Sequence, residues 1–145
     1  MNKSNELGYY FCLIDNHMEK TMNEALRKYD LTKSQQDVLG FLHHTNKEFV
    51  IQKDIEEHFH ISNPTVTGLL NRLEQKGFIE RIKDPRDKRS RIIVLTEKED
   101  EFHDSIENHV RYMESKFDDV LGDQKDILLD ILKKITESFE SEEKK

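Results

Sequence analysis

At 145 residues the chain is long enough for one domain with a genuine core and too short for two ordinary enzyme domains. With 34% hydrophobic and 37% charged residues, no run approaches the roughly 18 uninterrupted apolar residues of a membrane helix, and the lone Cys12 excludes an internal disulfide framework and a cysteine-rich structural zinc site. The net charge of −7 argues against nucleic acid only until its distribution is inspected: Ser62 to Arg91 carries eight basic and four acidic residues, a net of +4, which leaves −11 for the remainder. An acidic body with one basic segment repels phosphates everywhere except through that face. The charged start from Met1 to Glu6 has no apolar signal segment, so a cytoplasmic, reducing location and no membrane partner are expected.

From Leu7 to Leu26, apolar residues at three- and four-residue steps (Tyr10, Phe11, Ile14, Met18, Met22) predict an amphipathic first helix. Thr32-Lys33-Ser34-Gln35 has the form of a capping box and opens a second helix, which runs to about His44 over Val38, Leu39 and Leu42. Phe49-Val50 suits a short strand, and Ile51 to Phe59 a third helix. Ser62-Asn63-Pro64 is a strong start signal for a fourth helix, whose inward face is Val66, Leu69, Leu70 and Leu73, with Gly77 placed to stop it in a left-handed conformation. Phe78 to Lys83 and Arg91 to Leu95 read as strands joined across the charged turn Asp84 to Ser90. Thr96 to Glu99 reads as a second capping box, opening a long helix that stops at Gly122. Asp123 suits the cap of a last helix through Ile127, Ile131, Ile135 and Phe139, before a charged tail from Glu140 to Lys145 that is expected to fray.

A helix, a short turn, a capped helix and a basic hairpin in that order is what joint reading of major and minor grooves requires. A helix enters the major groove with its N-terminal side chains on base edges, and its first backbone donors hold phosphate. Thr65, Thr67, Asn71 and Arg72 are suited to this, with Ser62, Asn63, Pro64 and Gly68 on the same approach. At the hairpin tip Arg86, Lys88 and Arg89 are within reach of the adjacent minor groove, where an A/T tract deepens the negative potential; Arg89 is the expected reader, its guanidinium held by Asp87.

Leu31-Thr32-x-x-Gln35, Asp54-Ile55, Ile61-Ser62, Thr65-Val66-Thr67, Arg72 to Arg81, Asp84-Pro85-x-Asp87-x-Arg89-Ser90 and Leu95-Thr96, in this order and spacing, resemble the MarR family of bacterial regulators over about residues 31 to 96. The resemblance implies a mostly α (α+β) winged helix-turn-helix homodimer on a pseudo-palindromic double-stranded DNA operator, released by a small-molecule effector, an oxidant or a metal. It places the recognition role on the helix from Ser62 and the minor-groove role on Arg89. The implied organisation is an N-terminal dimerisation helix over 1–31, the DNA-binding domain over 32–96 and C-terminal dimerisation helices over 97–145. Two positions depart from the family pattern. Glu56 stands where a small residue is usual and is expected to loosen the crossing of the third and fourth helices. Glu99 replaces a usual Gly, and the capping box makes that harmless.

Three other readings stay open beside this one. The same fold serves as a protein-interaction module, in which case the acidic body is the working surface. A redox-responsive variant would use Cys12, but its apolar neighbours Phe11 and Leu13 point to an inert buried thiol instead. A metal-responsive variant would need His pairs at helical spacing; His103 and His109 are six apart, neither stands where the family's zinc sensors place their ligands, and Asp37 replaces a ligand His, so no metal site and no cofactor is expected. The chain has no phosphate-binding Gly loop or nucleophile elbow, and no enzyme activity is expected.

Overall fold

The computed structural model describes residues 6–143. The order is α1 (Glu6–Lys28), α2 (Lys33–His44), α3 (Gln52–Phe59), α4 (Asn63–Gln75), β1 (Ile79–Asp84), β2 (Asp87–Leu95), α5 (Glu97–Leu121), a 3-10 turn (Gly122–Gln124) and α6 (Lys125–Glu143). No helix among the described residues is long and apolar enough to cross a membrane. The chain divides into two compact units, Met1–Glu107 and Asn108–Lys145.

In the first unit the helix starts follow local chemistry. The Thr32 hydroxyl accepts the Gln35 N–H at 3.2 Å while the Gln35 carboxamide oxygen accepts the Thr32 N–H at 3.1 Å, so the predicted capping box forms. At α3 the preceding residue is Ile51, whose side chain has nothing to accept with. Asp54 supplies the missing group: its carboxylate takes the Ile51 N–H at 2.9 Å and the Lys47 ammonium at 2.7 Å. Partial burial pushes the Asp54 carboxyl upward, but these two partners outweigh it and hold the group below its ordinary value. A depressed carboxyl contributes stability above its unfolded pKa and loses it as pH falls through the folded one. Asp54→Ala is therefore expected to cost about 1 kcal/mol at neutral pH, and urea melts of the two proteins should converge below about pH 4.

The strand expected at Phe49-Val50 does not form; a single bond, from the Ile93 N–H to the Val50 carbonyl at 2.8 Å, ties this segment to β2. α4 carries Pro64 in its first turn and stops before Gly77, whose φ of +85° only glycine adopts without strain. β1 and β2 pair antiparallel with Ile79 opposite Leu95 and Lys83 opposite Arg91, then lose regular register between Lys83 and Asp84. β2 starts at Asp87, four residues before the expected Arg91. The reason is Asp84, which is buried and takes the Arg86 N–H at 2.8 Å and its guanidinium at 3.0 and 3.1 Å, reversing the chain over Pro85-Arg86 alone.

Val38, Ile55, Val66, Leu70, Leu73 and Phe78 are almost wholly withdrawn from water and join α2, α3, α4 and the start of β1 into one core, which Phe102 of α5 and Leu26 of α1 complete. The second capping box does not form. The Thr96 hydroxyl donates instead to the Gly77 carbonyl at 2.5 Å, and the Glu99 side chain is buried rather than turned back to the helix end.

The apolar stripe of α1 is largely uncovered: Leu7 is 77% exposed and Tyr10 52%, and only Leu26 is buried on that helix. Cys12 is exposed too, which corrects the expectation of a buried thiol; its neighbour Phe11 is also exposed and Leu13 is half-buried.

In the second unit Gly122, at φ +52°, ends α5 as expected. Asp123 lies within the 3-10 turn and does not cap α6; the Lys125 ammonium instead ties the helix start to Asp118 at 2.6 Å and Glu114 at 3.0 Å. α6 stays helical to Glu143, past the Glu140 at which fraying was expected. Residues 1–5 and 144–145, which hold most of the charged start and the end of that tail, lie outside the described residues. No residue of α6 is buried, and its apolar stripe is largely exposed, Ile127 at 63% and Phe139 at 63%.

Candidate nucleic-acid interface

α3 and α4 are joined by three residues, with His60 in the left-handed region (φ 55°) ending α3 and Ser62 standing before α4. Two side chains of α3 latch the pair. Gln52 donates to the Thr67 hydroxyl at 2.8 Å and the Asn63 carbonyl at 3.3 Å, and Glu56 accepts from the Asn63 carboxamide at 3.0 Å. The departure at Glu56 therefore ties the start of α4 to α3 rather than loosening the crossing.

Because Val66, Leu69, Leu70 and Leu73 are buried, the opposite face of α4 is committed to solvent. Ser62, Asn63, Pro64, Thr65, Asn71 and Arg72 are exposed there, while Thr67 and Gly68 are half-buried. The Ser62 and Thr65 hydroxyls share a hydrogen bond at 2.9 Å, which leaves Ser62 outside the usual bond to a helix N–H. Asn71 accepts from the Arg81 guanidinium of β1 at 2.5 Å, joining the helix to the hairpin. Gly68 is open enough that the Arg72 guanidinium passes 3.6 Å from where a Cβ would sit. A Cβ at 68 would make only ordinary van der Waals contact with Arg72.

The hairpin divides its charges. Arg86 is taken by Asp84 and lies over the Phe49 ring at 4.9 Å, so it works as an internal strut of the turn. That pairing pulls the Asp84 carboxyl below its ordinary value. Asp87 accepts the Arg89 backbone N–H at 2.9 Å rather than the guanidinium expected from the sequence. Lys88 and Arg89 are exposed, and neither makes an ion pair among the described residues. An open groove of about 590 Å³ runs between α3, α4 and the hairpin, and brings Asn63 and Thr67 together with Arg81, Asp87 and Arg89. Of the expected residues, the groove thus brings together Asn63 and Thr67 from the helix and Asp87 and Arg89 from the hairpin; the others do not line it. Several of these polar groups are already engaged within the chain: Asn63 with Glu56, Thr67 with Gln52, Ser62 with Thr65, Asn71 with Arg81 and Arg86 with Asp84.

Sequence reasoning passed over Gln52, expected the opposite effect from Glu56, and passed over a second cluster of side chains outside the groove. His43 near the end of α2, Glu99 in the first turn of α5 and His103 one turn on present ligand atoms that all lie within 4.8 Å of one another. Glu99 and His103 stand at i and i+4, a helical spacing that a search for His pairs alone does not catch. Burial, then Asp100 and Asp104, pushes the Glu99 carboxyl up to about 7. Burial, then His103 and His44, pushes the His43 imidazole down, so it is neutral at neutral pH.

Residues 29–90 match a family model described as MarR family. An uncharacterised HTH-type transcriptional regulator of Bacillus cereus is 29% identical over 130 residues, which cover 88% of this chain and 85% of that one. Among solved structures, a DNA complex of MepR from S. aureus superposes with a TM-score of 0.77 at 27% identity, over 91% of this chain and 98% of MepR. MepR bound to ethidium bromide gives a TM-score of 0.72 at 26% identity, over 96% of this chain and 97% of that one.

Proposed function

The chain belongs to the MarR family of transcriptional regulators, and from that we propose that it binds a pseudo-palindromic duplex operator as a homodimer, with α4 in the major groove and the β1–β2 hairpin in the minor groove. The observation that carries the reading is the groove that Asn63 and Thr67 of α4 share with Arg89 of the hairpin, with the exposed Lys88 beside Arg89 in sequence, on a chain that is otherwise acidic. The whole-chain likeness to MepR, which has been solved on DNA, supports it. Paired half-sites are then expected about one DNA turn, roughly 10 base pairs, apart.

The dimer comes from two uncovered apolar faces, that of α1 in the first unit and that of α6 in the second, each of which a second copy covers. Residues 1–31 and 97–145 serve that role and 32–96 read the DNA. Such a protein works where the chromosome is, in the cytoplasm. It acts as a repressor, and a small-molecule effector releases it; the support for an effector is the ethidium-bound form of MepR.

Operator selection from genomic fragments followed by gel-shift titration tests the proposal. Affinity is expected to fall steeply with salt as counterions are released, and Arg89→Ala is expected to weaken binding by on the order of tenfold, most on A/T-flanked sites. Retention of no fragment at low salt would move the reading to a protein-interaction module, and an unchanged affinity for Arg89→Ala would remove the minor-groove role.

A further inference from the structure

We propose that His43, Glu99 and His103 form a binding site for one divalent transition-metal ion of the zinc class, joining the end of α2 to the first turns of α5. The three residues supply two imidazoles and a carboxylate, a donor set that suits zinc and its first-row neighbours and leaves a position for water. Their ligand atoms lie within 4.8 Å of one another, and the His43 Nδ1 to Glu99 Oε2 distance is already 3.2 Å. Tetrahedral zinc with bonds near 2.1 Å sets its ligands about 3.4 Å apart. Rotamer adjustments on the order of 1 Å close the rest.

Burial and unmet valence point the same way. Glu99 is 1% exposed, yet its Oε2 has no hydrogen-bond partner, and neither has the buried Nδ1 of His43 beside it. The two atoms lie 3.2 Å apart but are misaligned for a hydrogen bond. A buried charge with no partner is costly, and a cation between these two atoms removes the cost while filling the imidazole lone pair. The rings of His43 and His103 stack at 3.4 Å, which keeps both imidazoles beside Glu99.

The surroundings complete the arrangement. His103 Nε2 lies 2.9 Å from the Glu107 carboxylate one turn further along α5, the contact by which a carboxylate fixes the tautomer of a metal-bound histidine. Asp100 and Asp104 add negative charge around the buried carboxylate. His44 sits beside the pair, its ring centre 5.7 Å from that of His43 and 6.0 Å from that of His103.

The test uses the full chain stripped with a chelator and titrated with Co²⁺, followed by its visible absorption, and with Zn²⁺, followed by thermal unfolding. One equivalent per chain is expected to saturate an intense low-symmetry cobalt spectrum, and zinc to raise the unfolding temperature. Glu99→Gln, His43→Gln and His103→Gln are each expected to weaken cobalt binding at least tenfold and to abolish the thermal shift, whereas His109→Gln, outside the cluster, leaves both unchanged. Should another ligand variant lose its cooperative melt, His103→Gln, whose side chain is partly exposed where that of Glu99 is not, decides by itself. A wild-type protein that gives no such spectrum, or a His103→Gln protein that binds cobalt as tightly as the wild type, overturns the proposal.

Discussion

Ile131→Asp is expected to turn the protein into a folded monomer and to cut its operator affinity by about 100- to 10,000-fold. Ile131 is 47% exposed, and no part of α6 is buried, so the substitution removes nothing from the core of the chain that carries it. What it places in the second unit is a charge in the middle of a stripe that runs from Ile127 past Leu128 and Ile135 to Phe139. A 19-residue helix with such a face uncovered is unlike the surface of a protein that works alone. In the proposed dimer that face is desolvated, and a buried aspartate without a partner is enough to part the subunits. Each monomer keeps its own α4 and hairpin but binds a half-site without the gain in effective concentration from the second, which sets the size of the loss. Sedimentation and a gel-shift titration read the two effects separately. A variant that stays dimeric with unchanged affinity would mean that α6 is not at the interface.

The parts of this molecule legible in its sequence are those whose causes are local. Thr32 and Gln35 close their box because both partners lie within one turn, and Pro64 and Gly77 bracket α4 through their own backbone preferences. The same capping pattern at Thr96 and Glu99 misleads, because Gly77, nineteen residues away in sequence, offers a carbonyl that takes the Thr96 hydroxyl first. The turn between the strands is shorter than its charge pattern suggests for a similar reason: Asp84 becomes buried and collects Arg86, a competition that composition does not show. Phe49-Val50 has strand chemistry but only one bond to a neighbour, and β-propensity without a paired edge makes no strand. Of the groove, the residues on α4 follow from helical phase alone. Gln52 and Glu56 do not, since their role depends on how α3 crosses α4. The cluster around Glu99 was hidden in part because its third member, His43, comes from a different helix.

Replacing Glu99 by methionine is expected to stabilise the metal-free protein by about 1–3 kcal/mol at pH 8, although the residue is among the most deeply buried of the chain. A core substitution ordinarily costs stability, and the sign reverses here because one oxygen of the wild-type carboxylate, Oε2, is buried without a hydrogen bond. Methionine has a similar length, favours helix and carries no charge to desolvate. The pH dependence follows from the raised carboxyl, about 7 in the folded chain against 4.5 when unfolded. Between those values the folded state holds a proton that the unfolded state has released, so wild-type stability declines as pH rises through that window and levels off above it. The advantage of Glu99→Met should therefore be largest at pH 8 and shrink toward pH 4. Urea melts with a chelator present measure it, and a variant less stable than wild type at pH 8 would mean that the carboxylate is satisfied after all. Zinc should then invert the ranking, because the ion compensates the wild-type carboxylate and finds only His43 and His103 in the variant.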